Sequence, residues 1–187
     1  MSNIYSFIDA FFMGLRIFIP FLVLFKFSKL LNNKIDTNTL TTATNLLLLL
    51  AATSNLIFFV SEIFAAYYSQ NNYEQIAVAN RIFGPYWFAP AIQAFIYFLL
   101  PQMMWIKKAR TSIVSTIVWA GPAYLLMAII YYSEHSGYMT GFEPTINLLA
   151  YLKSLIIFLS LLTAVYFVLL KQRSRIIPKQ QANSTNL

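Results

Sequence analysis

Tyr73-Glu74-Gln75, then Asn80-Arg81-Ile82-Phe83-Gly84-Pro85-Tyr86-Trp87-Phe88, then an apolar segment interrupted by Pro90 and Pro101-Gln102, then Trp105 and Lys107-Lys108-Ala109-Arg110: this stretch decides the fold. It reads as one membrane crossing with both ends marked. Pro85 suits the first helical position, where a missing N–H leaves no bond unmade, and Gly84 permits a sharp turn into it. Tyr86 and Trp87 fall at one membrane–water boundary and Trp105 at the other, with cations immediately beyond. Aromatic belts and positive loops flank spans in this order.

The rest of the chain has the same character. Its 187 residues are 59% hydrophobic and 10% charged, with mean hydropathy +0.63, against about 25% charged residues in soluble domains. Such a chain belongs in a lipid bilayer. The absence of cysteine excludes disulfides, iron–sulfur ligation, thiolate zinc sites and cysteine nucleophiles. One histidine, His135, cannot supply the paired imidazoles of a b-type haem or a three-His metal site, so no covalently bound cofactor or metal is expected. The net charge of +7 does not point to nucleic acid. Ten of the thirteen cations stand in three clusters beside apolar segments, the pattern of cytoplasmic loops facing anionic headgroups.

Outward from the opening stretch, the pattern predicts an all-α, polytopic bundle of five transmembrane helices. The spans cover about 4–25, 43–68, 85–106, 111–132 and 145–170, one membrane domain over 1–179 followed by a disordered Gln/Asn/Ser tail over 180–187. Asp36-Thr37-Asn38-Thr39 offers capping side chains before the second span, and Ser69 to Arg81 reads as a polar external loop. Gly121-Pro122 should kink the fourth span. Lys26, Lys29 and Lys34, then Lys107, Lys108 and Arg110, then Lys171, Arg173, Arg175 and Lys179 mark one side, and Glu74, Arg81, Glu134 and Glu143 the other. The positive-inside rule then puts the N-terminus outside and the C-terminus in the cytoplasm, in an inner (cytoplasmic) membrane.

Four ionisable groups fall inside the predicted spans: Asp9, Arg16, Glu62 and Lys153. A charge at mid-bilayer costs about 2.5–3.5 kcal/mol on insertion scales, so such groups face the bundle interior and pair. Asp9 and Arg16 are seven apart, as are Asn55 and Glu62, which keeps each pair on one helix face. Two readings stay open: a polar cavity in the outer half of the bundle lined by Asp9, Arg16, Asn55, Glu62 and Lys153, or structural ion pairs that orient the helices. His135 beside Glu134 is a candidate proton acceptor at the outer surface, or a loop cap. Gln93 and Gln102 are candidates to bond a buried carbonyl or a neighbouring helix. No G-x-S-x-G elbow, H-E-x-x-H helix or Gly-rich phosphate loop is present, so the chain is not expected to be an enzyme on its own.

The stretch from 73 to 112, with Tyr73-Glu74-Gln75, Asn80-Arg81, Gly84-Pro85-Tyr86-Trp87, Pro101-Gln102, Trp105 and Lys107-Lys108-Ala109-Arg110, resembles a late helix and its flanks in NrfD-type membrane subunits, the polysulfide-reductase and alternative-complex-III quinone-interacting proteins. The resemblance implies a multi-helix subunit without prosthetic groups, exchanging electrons between membrane quinone and a partner's iron–sulfur or haem centres. This chain is about half the length of a typical member, and none of the family's quinone-pocket residues carries over. The expected function is therefore a non-catalytic or quinone-interacting subunit of a larger membrane complex, with lipid and other membrane proteins, or further copies of itself, as partners. A small transporter or proton-conducting protein using the interior charges is the alternative.

Overall fold

A computed structural model describes residues 2–28, 36–85, 87–135 and 148–184. Among these every element is a helix: α1 (Ser2–Phe27), α2 (Thr37–Tyr68), α3 (Asn72–Phe83), α4 (Phe88–Ala94), α5 (Lys107–Arg110), α6 (Ile113–His135) and α7 (Leu148–Ser184). Between α4 and α5 the chain stays helical but changes pitch, with a π turn over Phe95–Leu99 and a 3-10 stretch over Leu100–Trp105. Four segments are long and apolar enough to cross a membrane: Ser6–Phe27, Thr37–Tyr68, Phe88–Trp105 and Leu148–Ser174. The described apolar stretch of α6, Ile113–Ile129, is shorter. Four such helices are compatible with a multi-pass membrane protein.

Capping explains how α2 begins. The Asp36 carboxylate accepts from the Asn38 and Thr39 amides and from the Thr39 hydroxyl, so the helix starts six residues before the expected span. At 32 residues α2 is about 48 Å long, more than the ~30 Å hydrocarbon core and close to the ~40–45 Å that includes the headgroups. Its last turns therefore lie at or beyond the boundary.

Here the expected external loop is corrected. Ser69 and Gln70, the latter at φ 53°, reverse the chain, and residues 72 to 83 form α3 instead of a loop. Asn71 caps its first turn, Glu74 and Arg81 sit at the ends that suit their charges, and Gly84 closes it. A Cβ at Gly84 would lie 2.2 Å from the Asn80 carbonyl oxygen, so only glycine closes this turn. Pro85 consequently lies in the turn between two helices and not at the first position of a span, which starts at Phe88. α3 runs back along α2: Gln75 Nε2 donates to the Tyr67 carbonyl at 3.2 Å, and Arg81 pairs with Glu62 at 3.2 Å.

Two prolines shape the interior. Pro20 in α1 has no N–H for the Arg16 carbonyl, and the Tyr124 hydroxyl of α6 donates to that carbonyl instead. At the other break the Leu100 N–H reaches back to Phe95, a π-type bond that leaves the Ile96 carbonyl to the next residue, Pro101, which has no N–H to give. The indole of Trp119, fully buried, donates to that carbonyl at 3.0 Å. Gln102 repairs the following turn, its Nε2 donating to the Phe98 carbonyl at 2.9 Å while its Oε1 accepts from the Trp105 indole at 2.9 Å. Proline survives in a membrane helix because a neighbour supplies the missing donor, and α6 does so twice.

The buried core gathers Phe11, Phe12, Leu15, Phe18 and Leu22 of α1 with Leu47, Leu48 and Ala52 of α2, Trp119 of α6 and Phe158 of α7. α1 and α7 meet at Gly14, where a Cβ would lie 2.2 Å from the Ser154 carbonyl oxygen, so the small residue sets the close approach. At the basic end Lys26 donates to Asn38, Arg173 pairs with Asp36, and buried Asn45 donates to the carbonyls of Arg110 (2.9 Å) and Ser112 (3.0 Å) while accepting from Thr116 (2.7 Å). These contacts bring Lys26, the turn carrying Lys107, Lys108 and Arg110, and Arg173 to one end of the bundle. α7 continues helical to Ser184, past the 180 boundary expected for a disordered tail, while residues 136–147, with Glu143 and Pro144, and residues 185–187 lie outside the described residues.

Candidate functional site: a polar cavity above Arg16

The cavity follows from a mismatch in pairing. Lower in the bundle α2 and the segment after α4 stay in contact, with Thr53 bonded to Gln102 and the rings of Phe59 and Phe98 tilted against each other at 5.1 Å. Higher up, Glu62 meets Arg81. From 98 back to 81 the chain covers seventeen residues while α2 advances three, so α4 leaves α2 and a space opens between them. That space is a cavity of about 810 Å3, reached by α1, α2, α3, α4, α6 and α7. Its polar lining includes Asp9, Arg16, Asn55, Arg81, Gln93, Tyr97 and Ser154, and its walls include Phe12, Phe59, Phe98, Leu126 and Met127.

Arg16 is the centre of this arrangement. Its Nε donates to the Phe12 carbonyl at 3.3 Å, and its Nη1 donates to the Tyr97 hydroxyl at 3.3 Å and to Met127 Sδ at 3.6 Å. Ten residues separate Arg16 from Lys26 at the basic end, about 15 Å, which is the middle of a ~30 Å core. α6 fixes the group from two sides, through Met127 and through the bond from Tyr124 to the Arg16 carbonyl. Tyr97 is held in turn by the π turn and by edge-on packing against Phe12 (5.2 Å) and Trp119 (6.3 Å).

The other expected site residues divide. Asp9 and Asn55 line the same cavity as Arg16. Glu62 does not line it: its partner is Arg81, both side chains are half-exposed, and its place near the end of a 48 Å helix puts it close to the boundary and not inside the core. Lys153 does not line it either. It stands on the outward face of α7 among exposed Leu149, Leu152 and Ile156, while its neighbour Ser154 turns inward to the cavity. Eighteen residues above Lys171, about 27 Å, its stem can carry the ammonium to the headgroups. His135 closes α6, and its side chain, like Tyr86, lies outside the described residues. Gln93 lines the cavity, whereas Gln102 bonds a carbonyl of its own helix.

Among the described residues the contact ion pairs are Arg81–Glu62 and Arg173–Asp36. Arg16 thus makes its close contacts with neutral groups, and Asp9 acts on it electrostatically from farther up α1. No three His, Asp or Glu side chains among the described residues converge to hold a metal. The arrangement can bind and orient a polar head between hydrogen-bond donors at mid-membrane while aromatic walls take an apolar body. Tyr97, Tyr124 and Met127, which hold Arg16, carry no sequence signal of their own. A signal did exist at the prolines, since Pro20 and Pro101 each free an upstream carbonyl and Trp119 and Tyr124 are donors on a single neighbouring helix. Comparison with protein-family models, with curated proteins and with solved structures finds no match to this chain.

Proposed function

We propose that the chain is an integral inner-membrane subunit that holds the head of a lipid-soluble ligand, a membrane quinone, in the cavity above Arg16. One observation carries the reading: a guanidinium at mid-membrane depth, with Tyr97, Asn55 and Gln93, lines an apolar-walled cavity of about 810 Å3. A quinone ring offers two carbonyl acceptors to those donors and a flat face to Phe12, Phe59 and Phe98. The resemblance of residues 73–112 to quinone-interacting subunits supports the same ligand, and membership of a larger redox complex follows from it as part of the proposal. In this reading α6, 23 residues or about 34 Å long, is the fourth of five crossings. The N-terminus lies outside, and the basic end and C-terminus lie in the cytoplasm.

Binding of a quinone analogue to the purified protein in lipid nanodiscs tests the proposal. Arg16→Gln and Asn55→Ala should each weaken binding by about tenfold or more, as loss of a bond to a buried polar group does, while Lys153→Gln leaves it unchanged. Unaltered affinity in both cavity variants would reject the site.

A further inference from the structure

We infer that the deep end of this cavity selects a head whose oxygen carries a negative charge, joined to an apolar body. The inference rests on the cavity being a ligand site and adds the sign of the head.

Arginine stays protonated even in an apolar setting, and its guanidinium presents five N–H donors in a planar fork suited to an oxyanion. In this protein the contacts of that fork are a carbonyl of its own turn, a tyrosine hydroxyl and a thioether, at 3.3, 3.3 and 3.6 Å. All three are neutral and none is short, whereas charge-assisted bonds to oxyanions close to about 2.7–2.9 Å. The other guanidinium on the lining, Arg81, already has Glu62 at 3.2 Å. The carboxylate on the lining, Asp9, stands seven residues up α1, about 10 Å along the axis, towards the opposite end from Lys26. The lining therefore has a positive floor with no counter-ion in contact and a negative group nearer its mouth. A charge at mid-membrane is costly unless paired, and a ligand oxyanion at Arg16 supplies the pair, with the Tyr97 hydroxyl beside it as a further donor. The aromatic walls exclude a small hydrated anion as the best occupant and favour an acidic amphiphile, either a carboxylate lipid or a quinone bearing an acidic ring hydroxyl.

Paired probes in uncharged nanodiscs test this: an alkyl hydroxynaphthoquinone against its methyl ether, and laurate against lauryl alcohol. The anionic member of each pair should bind about tenfold tighter, and inorganic phosphate should not compete. Arg16→Gln should abolish the preference. Asp9→Asn should keep or raise it, which gives a second variant of opposite expectation should the first fold poorly. Equal affinities within both pairs, a preference that survives Arg16→Gln, or a fall in Asp9→Asn would overturn the inference. Binding of the methyl ether and the alcohol without their anionic partners would overturn it while leaving the cavity a ligand site. Binding of none of the four would remove both. Competition by phosphate as effective as laurate would overturn the requirement for an apolar body.

Discussion

Trp119 and Tyr124 do at single atoms what a helix ladder does elsewhere. Each donates to a carbonyl that a proline has left without a backbone partner. Interhelical hydrogen bonds in membrane proteins average about 0.6 kcal/mol because the separated helices find other partners. These two acceptors have no such alternative in their own helices, so loss should fall in the range for an unsatisfied buried group, about 1–3 kcal/mol. Trp119→Phe and Tyr124→Phe should therefore lower the unfolding free energy in mixed micelles by that amount. Ser160→Ala, which removes an exposed hydroxyl bonded to its own helix at Ile156, should cost under about 0.5 kcal/mol. Equal losses in all three variants would show that the proline breaks do not depend on α6.

At the scale of elements, the tie between the start of α2 and the last turns of α7 has a pH dependence of known sign. Burial by itself raises the Asp36 carboxyl, but the Thr39 hydroxyl and amide, the Arg173 charge and the Asn38 amide outweigh it, and the net value lies below the ordinary 3.8. A carboxylate depressed in the folded state stabilises above its unfolded pKa and loses that contribution as pH falls through the folded one. Asp36→Asn should thus melt earlier than the parent at neutral pH, by about 0.5–1 kcal/mol for a cap and a screened surface pair. The gap should close as pH falls through and below that lowered value, and a gap constant with pH would contradict the charge assignment. This cap was legible in the sequence because Asp-Thr-Asn-Thr is local chemistry. The span ends were less so. α3 is not legible because polar composition between two apolar runs does not distinguish a loop from a short surface helix: Asn71, whose side chain accepts from the Tyr73 amide, is a residue type that serves turns equally well, and Gly84 closes the helix through backbone geometry. The pitch change after α4 was signalled by Pro101, but the π turn that precedes it depends on which carbonyl Trp119 reaches.

For the whole molecule, the helical membrane character came from composition alone, and the convergence of Asp9, Arg16 and Asn55 came from depth and helical phase. Phase does not give azimuth between helices. That is why Lys153, at a suitable depth, turned out on the outer face of α7, and why Glu62 found a partner in α3 that no span count contained. The contacts of Lys26, Asn45 and Asp36 gather Lys26, Arg110 and Arg173 at one end, with the α2–α3 turn at the other, and the cavity opens between them nearer the latter. The natural chain has no cysteine, so single-cysteine variants report without background. Labelling of Asn72→Cys and Ser174→Cys in intact cells with a membrane-impermeant maleimide tests the orientation on which every depth rests. Asn72→Cys should label from outside and Ser174→Cys only after the membrane is opened; the reverse pattern, or labelling of both from one side, would contradict a bundle with its basic end in the cytoplasm and its cavity facing out.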